Sequence, residues 1–136
     1  MIQRIQSIWL LLASACAFLS IKLPFYSGTN FNGSYSYPLA GTENYLLLSV
    51  TIAVGMIAFI DIFLFKKRGL QIFFCVLGIL TEGTLIFLYF RETMKFTQGT
   101  YSLTSILHIL VIMFFILAIR GIHKDNKLIE DSDRLR

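Results

Sequence analysis

Residues 70–90, LQIFFCVLGILTEGTLIFLYF, decide how the chain is read: 21 almost wholly apolar residues with one carboxylate, Glu82, past the middle. As an α-helix the run rises about 1.5 Å per residue, enough to cross a hydrocarbon core of roughly 30 Å. An acid at that depth needs a partner or a role. Its presence does not prevent insertion. The run's 13 Leu, Ile, Phe and Val residues contribute about −4 to −8 kcal/mol, against about +2.5 to +3.5 for one carboxylate.

Projected at about 100° per residue, Gln71, Cys75, Gly78, Glu82 and Tyr89 fall within roughly 40° of one line. Ile, Leu, Phe and Val occupy most of the remaining circumference. This division predicts that the polar stripe faces the protein interior and the rest faces lipid or apolar neighbours.

Three further apolar runs, at about 5–23, 45–65 and 101–122, complete the pattern. The first places Gln6, Leu10, Ala13, Ala17 and Ser20 along one line, and the second places Thr51, Gly55 and Ala58 on one face. With Gly78 on the third run, these small residues mark seams where helices approach closely in lipid. Ala13-Ser14-Ala15-Cys16 loosely resembles a lipoprotein cleavage box, but the apolar run continues through Ala17-Phe18-Leu19, so no cleavage is expected. The expectation is an all-α, polytopic membrane protein, a single domain over 1–136 with four transmembrane helices in an up-down bundle.

Composition agrees. Of 136 residues 56% are hydrophobic and 15% charged, more apolar surface than a soluble domain of this length can bury. The net charge of +4 does not indicate a nucleic-acid partner, because the basic residues flank apolar runs instead of forming one patch. Lys66-Lys67-Arg68 is the strongest topological mark. Placed in the cytoplasm, it gives nine basic residues inside (Arg4, the triple, Arg120, Lys124, Lys127, Arg134 and Arg136) and three outside (Lys22, Arg91 and Lys95). Both termini are then cytoplasmic. Residues 24–43, rich in Gly, Ser, Asn and aromatics, read as an external loop with hairpin character at Asn32-Gly33. Residues 123–136 read as a cytoplasmic tail able to form a short amphipathic helix.

The chemistry-bearing residues form two groups. His108, seven residues into the fourth run, matches the depth of Glu82, eight residues in from Phe90, if the two helices form an antiparallel hairpin. Tyr101 and Thr104 are expected on the same face as His108. The pair reads either as an interhelical hydrogen bond that fixes register or as a proton-responsive element, and the structural reading is preferred. Nearer the cytoplasmic surface Arg4, Gln6, Asp61, Gln71 and Arg120 are expected to collect, with Asp61 paired to Arg120 or to Arg4. No catalytic, cofactor or metal site is expected. Cys16 and Cys75 lack motif spacing, only one histidine lies in a span, no phosphate-cradling glycine loop occurs, and no nucleophile has a base with an orienting group.

The ends of the chain, MIQRIQSIWLLLASA and AIRGIHKDNKLIEDSDRLR, resemble the domain-of-unknown-function 4293 family. That resemblance implies a small four-helix inner-membrane protein of Bacteroidota-type bacteria and brings no catalytic residues. The functional expectation is therefore a non-enzymatic subunit or accessory factor of a larger membrane complex, in a process such as protein export or envelope assembly. Its partners would be the lipid bilayer and other integral membrane proteins. The alternative is a small transporter or proton-responsive channel using Glu82 and His108.

Overall fold

The computed structural model describes residues 5–30 and 37–134. Four helices carry the fold: α1 (Ile5–Ser20), α2 (Tyr45–Phe63), α3 (Arg68–Thr93) and α4 (Ile106–Arg134). Three of the helical segments, Tyr45–Lys66, Arg68–Thr93 and Leu103–Arg134, are long and apolar enough to cross a membrane. The fourth, α1, is apolar but has 16 residues, about 24 Å of helix. Only 33%, 28% and 28% of the three spanning windows are buried within the chain. Phe59, Phe63, Phe73, Phe87, Ile109 and Ile116 accordingly lie exposed, as lipid-facing side chains do.

Local sequence accounts for where the helices start and stop. The Asn44 side chain accepts from the Leu46 amide at 3.2 Å and caps α2. A 3-10 turn, Leu64–Lys66, then leads directly into α3, so the two helices are antiparallel neighbours. On the far side of this turn the Arg68 guanidinium donates to Asn126 Oδ1 at 2.9 Å, holding α4 against it.

Two expectations from the sequence change. The fourth helix begins at Ile106, not Tyr101, and it continues unbroken to Arg134 instead of leaving a separate tail helix. No proline or glycine lies between Ile122 and Arg134 to stop it. The first helix ends at Ser20, three residues earlier than its apolar run. The freed segments form a small sheet: β1 (Tyr26–Asn30) pairs antiparallel with both β2 (Tyr37–Leu39) and β3 (Phe96–Tyr101), in the order β2-β1-β3. Gly28 faces Gly99 across the β1–β3 ladder, and a side-chain carbon on either would run into the other strand's backbone. The Asn32-Gly33 turn lies outside the described residues.

Inside the bundle the close-packing seams meet one another. Ala13, Ala17, Ser20, Thr51, Gly55, Ala58 and Gly78 are all buried. Ser14 donates to the Gly55 carbonyl at 3.3 Å, and the Phe115 ring fills the space above Gly78. One apolar cluster, including Leu10, Val54, Val111, Phe115 and Ile122, runs through the middle of the bundle. A second, Phe25, Leu39, Leu47, Leu85 and Tyr89, joins the bundle to the sheet.

Candidate functional site

On α3 the buried residues are Gln71, Cys75, Gly78, Glu82, Leu85 and Tyr89, a line at spacings of three and four that follows the helical period. On α4 the equivalent line is His108, Val111, Phe115, Ala118, Ile122 and Asp125. Where the two lines face each other near the sheet, His108 Nδ1 lies 2.7 Å from Glu82 Oε1. The residues are 3% and 1% exposed, which removes both from bulk solvent. A contact this short between an imidazole and a carboxyl group is a strong directional bond in a low-dielectric interior.

Phe25 seals the pair. Its ring stacks on Tyr89 with centroids 4.5 Å apart and meets His108 edge-on at 5.5 Å. The chain around it is fixed from three sides. The Phe25 amide donates to Leu39 O, the Ser102 amide donates to Phe25 O, and the Thr104 hydroxyl donates to Pro24 O. Beside this lid a recess of about 120 Å³ reaches His108 between Phe25, Ile86, Ser105 and Ile109. Tyr89, also fully buried, has its hydroxyl near Thr51 but without a well-formed hydrogen bond.

The second polar group lies toward the α2–α3 turn. Cys75 donates its thiol hydrogen to Asp61 Oδ2 at 2.9 Å, and Gln71 donates from Nε2 to the Asp61 backbone carbonyl at 3.3 Å. Asp61, Gln71 and Cys75 are each 0% exposed, and Gln6 on α1 is 3% exposed. Asp61 Oδ1, Gln71 Oε1 and Gln6 Oε1 are sealed from solvent and have no hydrogen-bond partner among the described residues.

A family model for a domain of unknown function (DUF4293) matches residues 2–135, nearly the whole chain. The chain belongs to that family. No curated protein and no solved structure matches it. The family description assigns no activity, so the roles of residues in this DUF4293 member rest on their geometry alone.

In this family member the structure brings together Glu82 with His108, and Asp61 with Gln71. It does not bring Arg120 to Asp61: Arg120 is exposed, while Asp61 is enclosed and bonded to Cys75. The physical reason is the long arginine stem, which carries its charge to a polar surface more cheaply than into the bundle. Arg4, the competing partner, lies outside the described residues. Tyr101 and Thr104 do not share a helix face with His108, because Tyr101 ends β3 and Thr104 sits in a 3-10 turn. Sequence reasoning misses Phe25, hidden in a loop after Pro24, and the thiol of Cys75, which serves Asp61. For Cys75 a signal is present: it lies one helical turn from Gln71 on the same stripe. Among the described residues no group of three or more His, Cys, Asp or Glu side chains is arranged to hold a metal.

Proposed function

We propose that this DUF4293 member is a multi-pass protein of a bacterial inner membrane, with four spans and both termini in the cytoplasm. We further propose that it works as a non-enzymatic subunit or accessory factor of a larger membrane assembly, in a process such as protein export or envelope assembly. The orientation rests on the nine-to-three distribution of basic residues, which places the Lys66–Arg68 turn and the end of α4 inside. In this topology α1, packed along α2 and α4, is the fourth span, and the sheet lies at the outer surface.

One observation carries the functional reading. The short polar contact between α3 and α4, Glu82–His108, is turned inward, 1% and 3% exposed, and capped by Phe25 against Tyr89. Such a pair sets the depth and rotation of two helices relative to each other. What the chain presents outward is lipid-facing apolar surface, a small sheet, and the exposed last turns of α4. Purification in mild detergent with mass spectrometry tests the reading. Other integral membrane proteins are expected to co-purify in fixed proportion; a bare monomer or homodimer would remove its basis.

The recess beside His108 supports a second reading, a small transporter or proton-responsive channel in which the pair exchanges protons with the outer side. It calls for transport by the protein in vesicles that is lost in both Glu82→Gln and His108→Ala. Undiminished transport in those variants would dismiss it.

A further inference from the structure

We propose that Gln6, Asp61 and Gln71 form a binding site for a small monovalent cation, with Na+ as the ion that fits its charge and donor set. The three side chains lie in one layer of the bundle. Gln71 and Asp61 are joined directly by the bond from Gln71 Nε2 to the Asp61 carbonyl. The Ser14–Gly55 bond sets the register of α1 against α2. From that bond Gln6 is eight residues back along α1 and Asp61 six residues on along α2, about 12 Å and about 9 Å in the same direction. Both are buried, so both face the interior at nearly the same depth.

The unpartnered side-chain atoms of the layer are all oxygens. Asp61 Oδ2 receives the Cys75 thiol, while Asp61 Oδ1, Gln71 Oε1 and Gln6 Oε1 receive nothing from the described residues. Sealed, unpartnered oxygens are rare in folded proteins, and each calls for a donor or an ion. A carboxylate and two carboxamide oxygens are hard ligands, suited to alkali or alkaline-earth cations and not to thiophilic metals. The single carboxylate selects between them by charge. A monovalent ion leaves the layer neutral, whereas a divalent ion would leave a net positive charge in a membrane interior. Water would supply hydrogens but no charge.

A recess also touches the layer at Gln6. About 120 Å³ in volume and at the turn end of the bundle, it is lined by Ile5, Gln6, Gly121, Lys124 and Asp125. Asp125, 7% exposed, places a second carboxyl group at this mouth, with Lys124 beside it. Sequence reasoning assigns no metal here because a site built from two amides and one acid lacks the His, Cys and acid clustering that marks a metal centre.

The test uses the full chain in detergent. Its unfolding midpoint is followed as Na+ is raised from about 1 to about 300 mM against choline at constant ionic strength, alongside direct binding of radioactive Na+. The midpoint is expected to rise by several degrees, with about one ion bound per chain, by mass action on the folded state. Asp61→Asn should abolish both effects, and Gln71→Leu and Gln6→Leu should weaken binding about tenfold or more. Arg120→Gln, at an exposed position away from Asp61, should leave both intact. A midpoint indifferent to Na+ with no bound ion would overturn the site and leave a proton on Asp61 as the missing hydrogen. Binding unchanged in Asp61→Asn, or lost in Arg120→Gln, would overturn it too. Should Asp61→Asn fail to fold, Gln6→Leu and the wild-type stoichiometry decide between an ion and none.

Discussion

Glu82→Ala is expected to destabilise the protein by about 3 kcal/mol, because it strands a buried imidazole that has lost its hydrogen-bonded carboxyl partner. His108→Ala should cost a similar amount by stranding the carboxyl group. The double substitution should cost clearly less than the two together, since neither group is then left unpaired. A coupling of about 1–2 kcal/mol is expected, near the top of the range for polar pairs between helices in membranes. Glu82→Gln provides the finer measurement. If the pair acts through shape and hydrogen bonding, the amide should retain most of the stability. Reversible unfolding in mixed micelles reads all four variants. Additive losses would mean that the 2.7 Å contact has no energetic weight, and the register role would fall with it.

That the pair is legible in the sequence at all follows from how membrane helices are constrained. The stripe on residues 70–90 is set by the helical period alone, and every member the period selects is buried. The depth of His108 is a different matter. Counting from Tyr101 requires a helix that in fact begins five residues later, at Ile106. The two depths still match because α3 runs on past Phe90 to Thr93 while the strand end and 3-10 turn take the place of helix before α4. Hydropathy reports where apolar residues lie, not whether the first five are coiled or extended.

The sheet is less legible for a related reason. β1 and β3 pair residues about seventy positions apart, and both are short, polar and glycine-containing, so neither shows the alternation that marks a half-buried strand. Their pairing is decided by tertiary context: Phe25 anchors one strand and the ends of α3 and α4 bring in the other. Phe25 is invisible as the lid of the polar pair because a single aromatic after Pro24 has no periodicity. The Asp61–Arg120 pairing fails on energetics, since charge complementarity along the chain says nothing of which partner can reach the interior.

Gly78 gives the other large effect, and it tests packing instead of polarity. A side-chain carbon placed on Gly78 would lie 2.5 Å from Phe115 Cζ and 2.7 Å from its Cε1, far inside van der Waals contact. Phe115 is itself 0% exposed and has little room to retreat. Helix propensity alone would favour alanine over glycine by about 1 kcal/mol, so the sign is decided by the clash. Gly78→Ala is expected to destabilise by about 1–3 kcal/mol and Gly78→Leu by more, because overpacking forces α3 and α4 apart. Separation of those helices also stretches the Glu82–His108 contact one turn away, so the polar pair and the packing seam should weaken together. Two controls make the expectation specific. Gly83 has nothing within 4 Å of the same added carbon, so Gly83→Ala should be neutral or mildly stabilising. Phe115→Leu should relieve Gly78→Ala, giving a double variant more stable than the sum of its parts by at least about 1 kcal/mol. Equal responses at Gly78 and Gly83 would show that the two helices are not in the contact described. A Gly78→Ala cost that Phe115→Leu fails to reduce would place the crowding elsewhere.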